Sequence, residues 1–111
     1  MGTGMNQGDI CWYTFRAPDK RRPVLILTRQ SALRYLSSVT VAPITSTIRG
    51  IPTEVLLTVA DGLQHECVVN CDNIQTVAKA QVGSYITHLS PEKMGDVRAA
   101  IAFALGFDDL E

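Results

Sequence analysis

Hydrophobic and polar positions first fall into order at GDICWYTF (8–15). Ile10, Trp12 and Thr14 lie on one face of an extended chain and Cys11, Tyr13 and Phe15 on the other, which predicts a strand. RAPDKRR follows; it is basic and broken by a proline, and is expected to be a loop that ends at Pro23. PVLILTR and SSVTVAPIT are continuous β-branched runs expected as central strands, and QSALRYLS between them suits a short helical turn. Gly50 and Pro52 punctuate the chain before TEVLLTV, a further strand. Asp61-Gly62 then marks a tight turn into HECVVNCDNIQTV, which is long for one strand and is expected to bend near Asp72-Asn73. SYITHL predicts a last short strand.

The pattern then changes period. Ser90 suits a helix N-cap, Pro91 the first helical position and Glu92 the first turn. Met94, Val97, Ile101 and Leu105 recur at helical spacing, Ala100 and Ala104 fill the same stripe, and Gly106 supplies the stop, so a helix over 91–105 is expected. Gly95 within it costs about 1 kcal/mol relative to alanine. Five or six strands followed by one helix, without βαβ alternation, predict a mainly β fold with a C-terminal helix: a small, strongly bent β-barrel rather than a parallel nucleotide-binding sheet.

Composition narrows this. A chain of 111 residues that is 46% hydrophobic fits one domain, 1–111, with the small polar residues 1–7 expected as a flexible N-terminus. No apolar run approaches the roughly 18 residues of a membrane span and the N-terminus lacks a signal-like apolar segment, so a cytoplasmic protein without a membrane partner is expected. Cys11, Cys67 and Cys71 are odd in number and form no C-x-x-C, which favours buried thiols over a disulfide framework or a zinc site. Cys67 and Cys71 are expected on one face of a strand.

Net charge is −1, but it is unevenly spread. Residues 1–50 carry seven basic side chains against Asp9 and Asp19, a balance of +5, whereas residues 51–111 carry three against nine carboxylates, a balance of −6. Such asymmetry fits either a polyanion-binding face or a surface of mixed ion pairs. Walker, dinucleotide and zincin signatures are all missing from the sequence. Only two histidines exist, His65 and His88, and neither has a neighbour that signals nucleophilic catalysis.

What remains is arginine and hydroxyl, concentrated around Arg22 and in APITSTIRG (42–50). An arginine fork suits bidentate binding of phosphate, and hydroxyls can donate to the remaining non-bridging oxygens. The reaction such groups can serve without a metal or a protein nucleophile is attack of a ribose 2′-OH on its own 3′-phosphate, because RNA carries the nucleophile already placed. No general base is evident beside them.

Five blocks in order, GDICWYTF, RRPVLILTR, VTVAPITSTIRGIPTEVLL, CVVNCDNIQTV and SPEKMGDVRAAIAFAL, resemble the MazF/PemK family of toxin endoribonucleases over roughly Gly8 to Leu105. The resemblance implies a CcdB/PemK-like barrel with SH3-like character and a homodimer. It implies metal-independent, cofactor-free cleavage of single-stranded RNA at short sequences to 2′,3′-cyclic phosphate and 5′-OH ends. It places the family's catalytic arginine on Arg22 and its catalytic threonine on Thr45. Lys20 and Arg21 resemble the family's flap over the RNA groove, Ser46, Thr47 and Arg49 its backbone contacts, and Asp72 and Asn73 the acid-amide pair that meets bases. Asp19 is the acidic residue of the first loop in a position to act as base. The expected partner besides RNA is a MazE-like antitoxin whose acidic, disordered tail lies in the RNA groove. Two other readings are a CcdB-like gyrase-binding toxin, disfavoured because the chain ends FDDLE and its one tryptophan is Trp12, and a non-catalytic SH3-like binding module.

Overall fold

A computed structural model describes residues 4–16 and 20–108, with the side chain of Lys20 outside the description. Seven strands, β1 (Asp9–Phe15), β2 (Lys20–Ile26), β3 (Ser38–Thr45), β4 (Glu54–Leu57), β5 (Cys67–Asn70), β6 (Gln75–Ala78) and β7 (Tyr85–His88), are joined by a one-turn helix α1 (Gln30–Leu33) and closed by α2 (Pro91–Leu105). Their order is β4-β5-β3-β2-β1-β7, and β6 also pairs with β3. Neighbouring strands pair antiparallel.

The curl of the sheet is written into β3. Its first half pairs with β6, Ser38 opposite Ala78 through Val41 opposite Gln75, and its end pairs with β5, Ile44 opposite Val69. Three steps along β3, from Val41 to Ile44, thus correspond to six along the other edge, from Gln75 back to Val69. The surplus is taken up by a 3-10 turn at Cys71–Asn73, started by the Asn70 side chain accepting from the Asp72 N–H at 3.0 Å. The bend expected near Asp72-Asn73 is therefore a full break, and it splits the long apolar run into two strands. Pro43, which has no N–H to donate, falls in the gap between the two ladders.

Continuous apolar runs arise because the middle of the sheet is covered on both faces. On one side Ile10, Leu25, Ala42, Ile44 and Leu57 pack with Leu89 and with Val97 and Ala100 of α2; on the other Cys11, Val24, Ile26, Val39, Val41 and Val77 pack with Leu33 of α1. Cys67 and Cys71 share the first cluster, although Cys71 belongs to the 3-10 turn and not to the strand.

Two expectations change. Lys20, Arg21 and Arg22 are strand residues rather than loop, paired with Phe15, Thr14 and Tyr13. The alternation of β1 persists to Phe15 and gives them a partner, while the Arg21 guanidinium lies over the Trp12 ring at 4.1 Å, so its stem packs and its charge stays in water. In α2 the cap forms as read, Ser90 Oγ accepting from the Lys93 N–H at 3.1 Å. Leu105, however, is 56% exposed. Val97, Ala100 and Ala104 carry the packing, and Leu105 stands about 100° round the helix from Ala104.

Candidate functional site

Val24 faces Pro43 across the β2–β3 ladder. Arg22 and Thr45 lie two residues further out on the respective strands, beyond the last pair, where the ladder opens. Both line one cleft of about 580 Å³. It is also lined by Trp12 of β1, Pro23 of β2, Ile44 of β3, Tyr85 and Ile86 of β7, and by Leu63, Gln64 and His65, from the connection between β4 and β5 that leads into Cys67.

Each position has a local cause. Arg22 is half-buried between a paired backbone and the cleft mouth. Thr45 ends β3, with its backbone held opposite Val68, and its hydroxyl is only 3.5 Å from the Thr47 carbonyl, a weak hydrogen bond that a better acceptor can replace. The wall at 63–65 is set by a 3-10 turn over Val59–Asp61: Thr58 accepts from the Ala60 N–H, Asp61 accepts from the Thr58 N–H at 2.9 Å, and Gly62 turns the chain at φ +100°.

Of the residues singled out in the sequence, Arg21, Arg22, Thr45 and Ser46 meet in this cleft. Thr47 and Arg49 are exposed on the segment that leaves it, whose fold is fixed by the Arg49 and Gly50 N–H groups donating to Glu54 at 2.9 and 3.0 Å. Asp72 and Asn73 are exposed at the far end of β5, in the 3-10 turn packed against α2, and do not line the cleft. There Asp72 accepts the hydroxyl of buried Thr53 at 2.6 Å. Lys20 belongs to β2, and Asp19 lies outside the described residues.

Trp12, Gln64, His65 and Tyr85 line the cleft and had no motif to mark them. The one available signal was Gly62: a left-handed turn just before Leu63-Gln64-His65 folds those residues back over the end of β3.

The site is cationic and rich in donors. Among the described residues no three His, Cys, Asp or Glu side chains converge as metal ligands. Cys67 in the cleft wall is a buried thiol whose pKa is raised, first by burial and then by the charge of Asp61. What the arrangement can do is hold a phosphodiester: guanidinium from one strand, hydroxyls from the next, aromatic rings alongside for bases.

A larger concavity of about 1860 Å³ lies between the N-terminal segment, α1 and β7. Its main polar groups are already engaged. Asp9 holds His88 at 2.8 Å and accepts from the Asn6 N–H, and the Lys79 ammonium donates to the Leu33 carbonyl. No helix among the described residues is long and apolar enough to cross a membrane.

Comparison with known proteins agrees with this architecture. A family model described as "PemK-like, MazF-like toxin of type II toxin-antitoxin system" matches residues 6–105. Endoribonuclease MazF3 of Mycobacterium tuberculosis is 44% identical over 90 residues, covering 81% of this chain and 87% of that protein. Among solved structures, the Mycobacterium tuberculosis toxin MazF-mt6 superposes with a TM-score of 0.83 at 41% identity, covering 90% of this chain and 98% of that one. An endoribonuclease from Mycobacterial species in complex with its cognate antitoxin superposes with a TM-score of 0.81 at 30% identity, covering 92% and 95%.

Proposed function

The chain belongs to the PemK-like, MazF-like toxins of type II toxin-antitoxin systems, and from that premise we propose that it is an endoribonuclease cleaving single-stranded RNA at short sequences without a metal or cofactor. The observation that carries this is the convergence of Arg22 and Thr45, from adjacent strands, on one cleft. The scissile phosphate sits between them. The Arg22 guanidinium binds its non-bridging oxygens and the Thr45 hydroxyl donates to the oxygen on which charge grows. The ribose 2′-OH attacks phosphorus in line and the P–O5′ bond breaks, leaving a 2′,3′-cyclic phosphate and a 5′-OH.

Ser46 and Arg21 border that phosphate. Lys20, Thr47 and Arg49 contact the backbone on either side, Trp12 and Tyr85 meet bases in the cleft, and Asp72 and Asn73 meet bases where the strand runs beyond it. The active form is a homodimer in the cytoplasm, and a MazE-like antitoxin silences it by laying an acidic, disordered tail along the same cationic groove, where it competes with RNA for the guanidinium groups.

The test is cleavage of defined single-stranded RNA in excess EDTA by wild type, Arg22→Ala and Thr45→Ala. Wild type is expected to cut, and each variant to lose about 10²–10³-fold in single-turnover rate, as for loss of one well-aimed donor, with an unchanged unfolding transition. Cleavage that disappears in chelator, or products ending in 3′-OH, would reject the route.

A further inference from the structure

Attack by the 2′-OH needs a proton acceptor, and Arg22 and Thr45 are both donors. We propose that His65 is that acceptor, an inference that rests on the ribonuclease reading above. His65 lines the same cleft as Arg22 and Thr45, and the residue is exposed.

The orientation of its proton follows from a hydrogen bond. Nδ1 lies 3.0 Å from the Glu66 carbonyl oxygen. A carbonyl oxygen only accepts, so Nδ1 carries the hydrogen and donates it. The neutral ring therefore keeps its lone pair on Nε2, on a residue that lines the cleft. The backbone fixes the tautomer, as a carboxylate does in other general-base histidines.

The other ionisable groups among the described residues lining this space serve less well. Arg21 and Arg22 of β2 are cations, Cys67 of β5 is a buried thiol held protonated, and Tyr85 of β7 is a phenol. Glu66, next to His65, is exposed but does not line the cleft. Among the described residues that line the cleft, the imidazole is the one neutral nitrogen base.

The step balances. Nε2 removes the 2′-OH proton as the 2′-oxygen bonds to phosphorus; the P–O5′ bond breaks and the departing O5′ takes a proton from water. The resulting imidazolium then releases its proton to solvent.

The experiment compares wild type, His65→Ala, His65→Gln and Arg22→Ala by single-turnover cleavage of one RNA oligonucleotide from pH 5 to 9, with RNA affinity measured on a 2′-deoxy-substituted analogue. A base acts only when neutral, so the wild-type rate should rise with pH. Both His65 variants should lose about 10²–10⁴-fold and that limb of the profile, keep RNA affinity, and regain part of the rate with added imidazole in the alanine case. His65 variants that retain rate and limb, while Arg22→Ala is dead, overturn the assignment and leave the ribonuclease reading standing. Wild type that cuts no RNA overturns both.

Discussion

In the proposed reaction Arg22 and Thr45 act as a pair, and the ladder places them for it. Each stands just past the last β2–β3 pair, with its backbone held by another neighbouring strand and its side chain lining the cleft. Arg22 was legible as a residue but not as a strand residue, since a run of basic side chains with a nearby proline has the composition of a loop, and only the persistence of β1 to Phe15 turns it into a ladder. His65 was not legible at all, because no spacing links a loop histidine to a strand end 20 residues earlier in the chain. The thiols belong to the opposite class of residue. Burial first, and then a nearby carboxylate, Asp9 for Cys11 and Asp72 for Cys71, push both from an ordinary value of 9.0 to about 11. The folded state thus holds protons that the unfolded chain releases near 9.0, so stability is complete below that pH and declines as pH climbs toward about 11. Thermal unfolding at pH 8 and pH 10.5 should show a fall in wild type that is smaller in Cys11→Ala/Cys71→Ala; equal falls would contradict it.

Among the elements, the connection between β4 and β5 ties stability to the site. Gly62 at φ +100° lets the chain leave the 3-10 turn toward Leu63, Gln64 and His65, and a Cβ there would clash with Thr87 Oγ1. Gly62→Ala combines a left-handed strain of about 1–2 kcal/mol with that clash, so it should destabilise by about 2 kcal/mol or more and slow cleavage through displacement of the cleft wall. Adding Thr87→Ala should recover only the part of the clash that comes from Oγ1 and Cγ2, because the Thr87 Cβ, 2.8 Å from the new methyl, stays. Denaturant titration of the three proteins checks this, and an unshifted Gly62→Ala midpoint would contradict it. The sequence marked this turn through Asp61-Gly62, and it marked α2 through Ser90, Pro91 and Gly106, because such signals depend on local geometry. It did not show that the long run from His65 to Val77 becomes two strands, since that break answers to the register of β3, a distant partner.

At the scale of the molecule, the uneven charge acquires a place. The basic half of the chain supplies Arg21 and Arg22 to the cleft, while most carboxylates of the second half lie elsewhere: Asp72 on Thr53, Asp61 in its 3-10 turn, and Glu92 and Asp96 along α2. Polyanion binding at such a cleft follows from long-range attraction; in the proposed route, selectivity for RNA comes from the reaction itself, because the substrate brings its own nucleophile. That is the central claim, and one substitution in the substrate tests it. An RNA oligonucleotide with a single 2′-deoxyribonucleotide immediately 5′ of the cleaved linkage should bind the wild-type protein as the all-RNA strand does and remain uncut at that linkage in EDTA. Cleavage of the 2′-deoxy linkage at an ordinary rate would show that the nucleophile comes from elsewhere and would contradict the account.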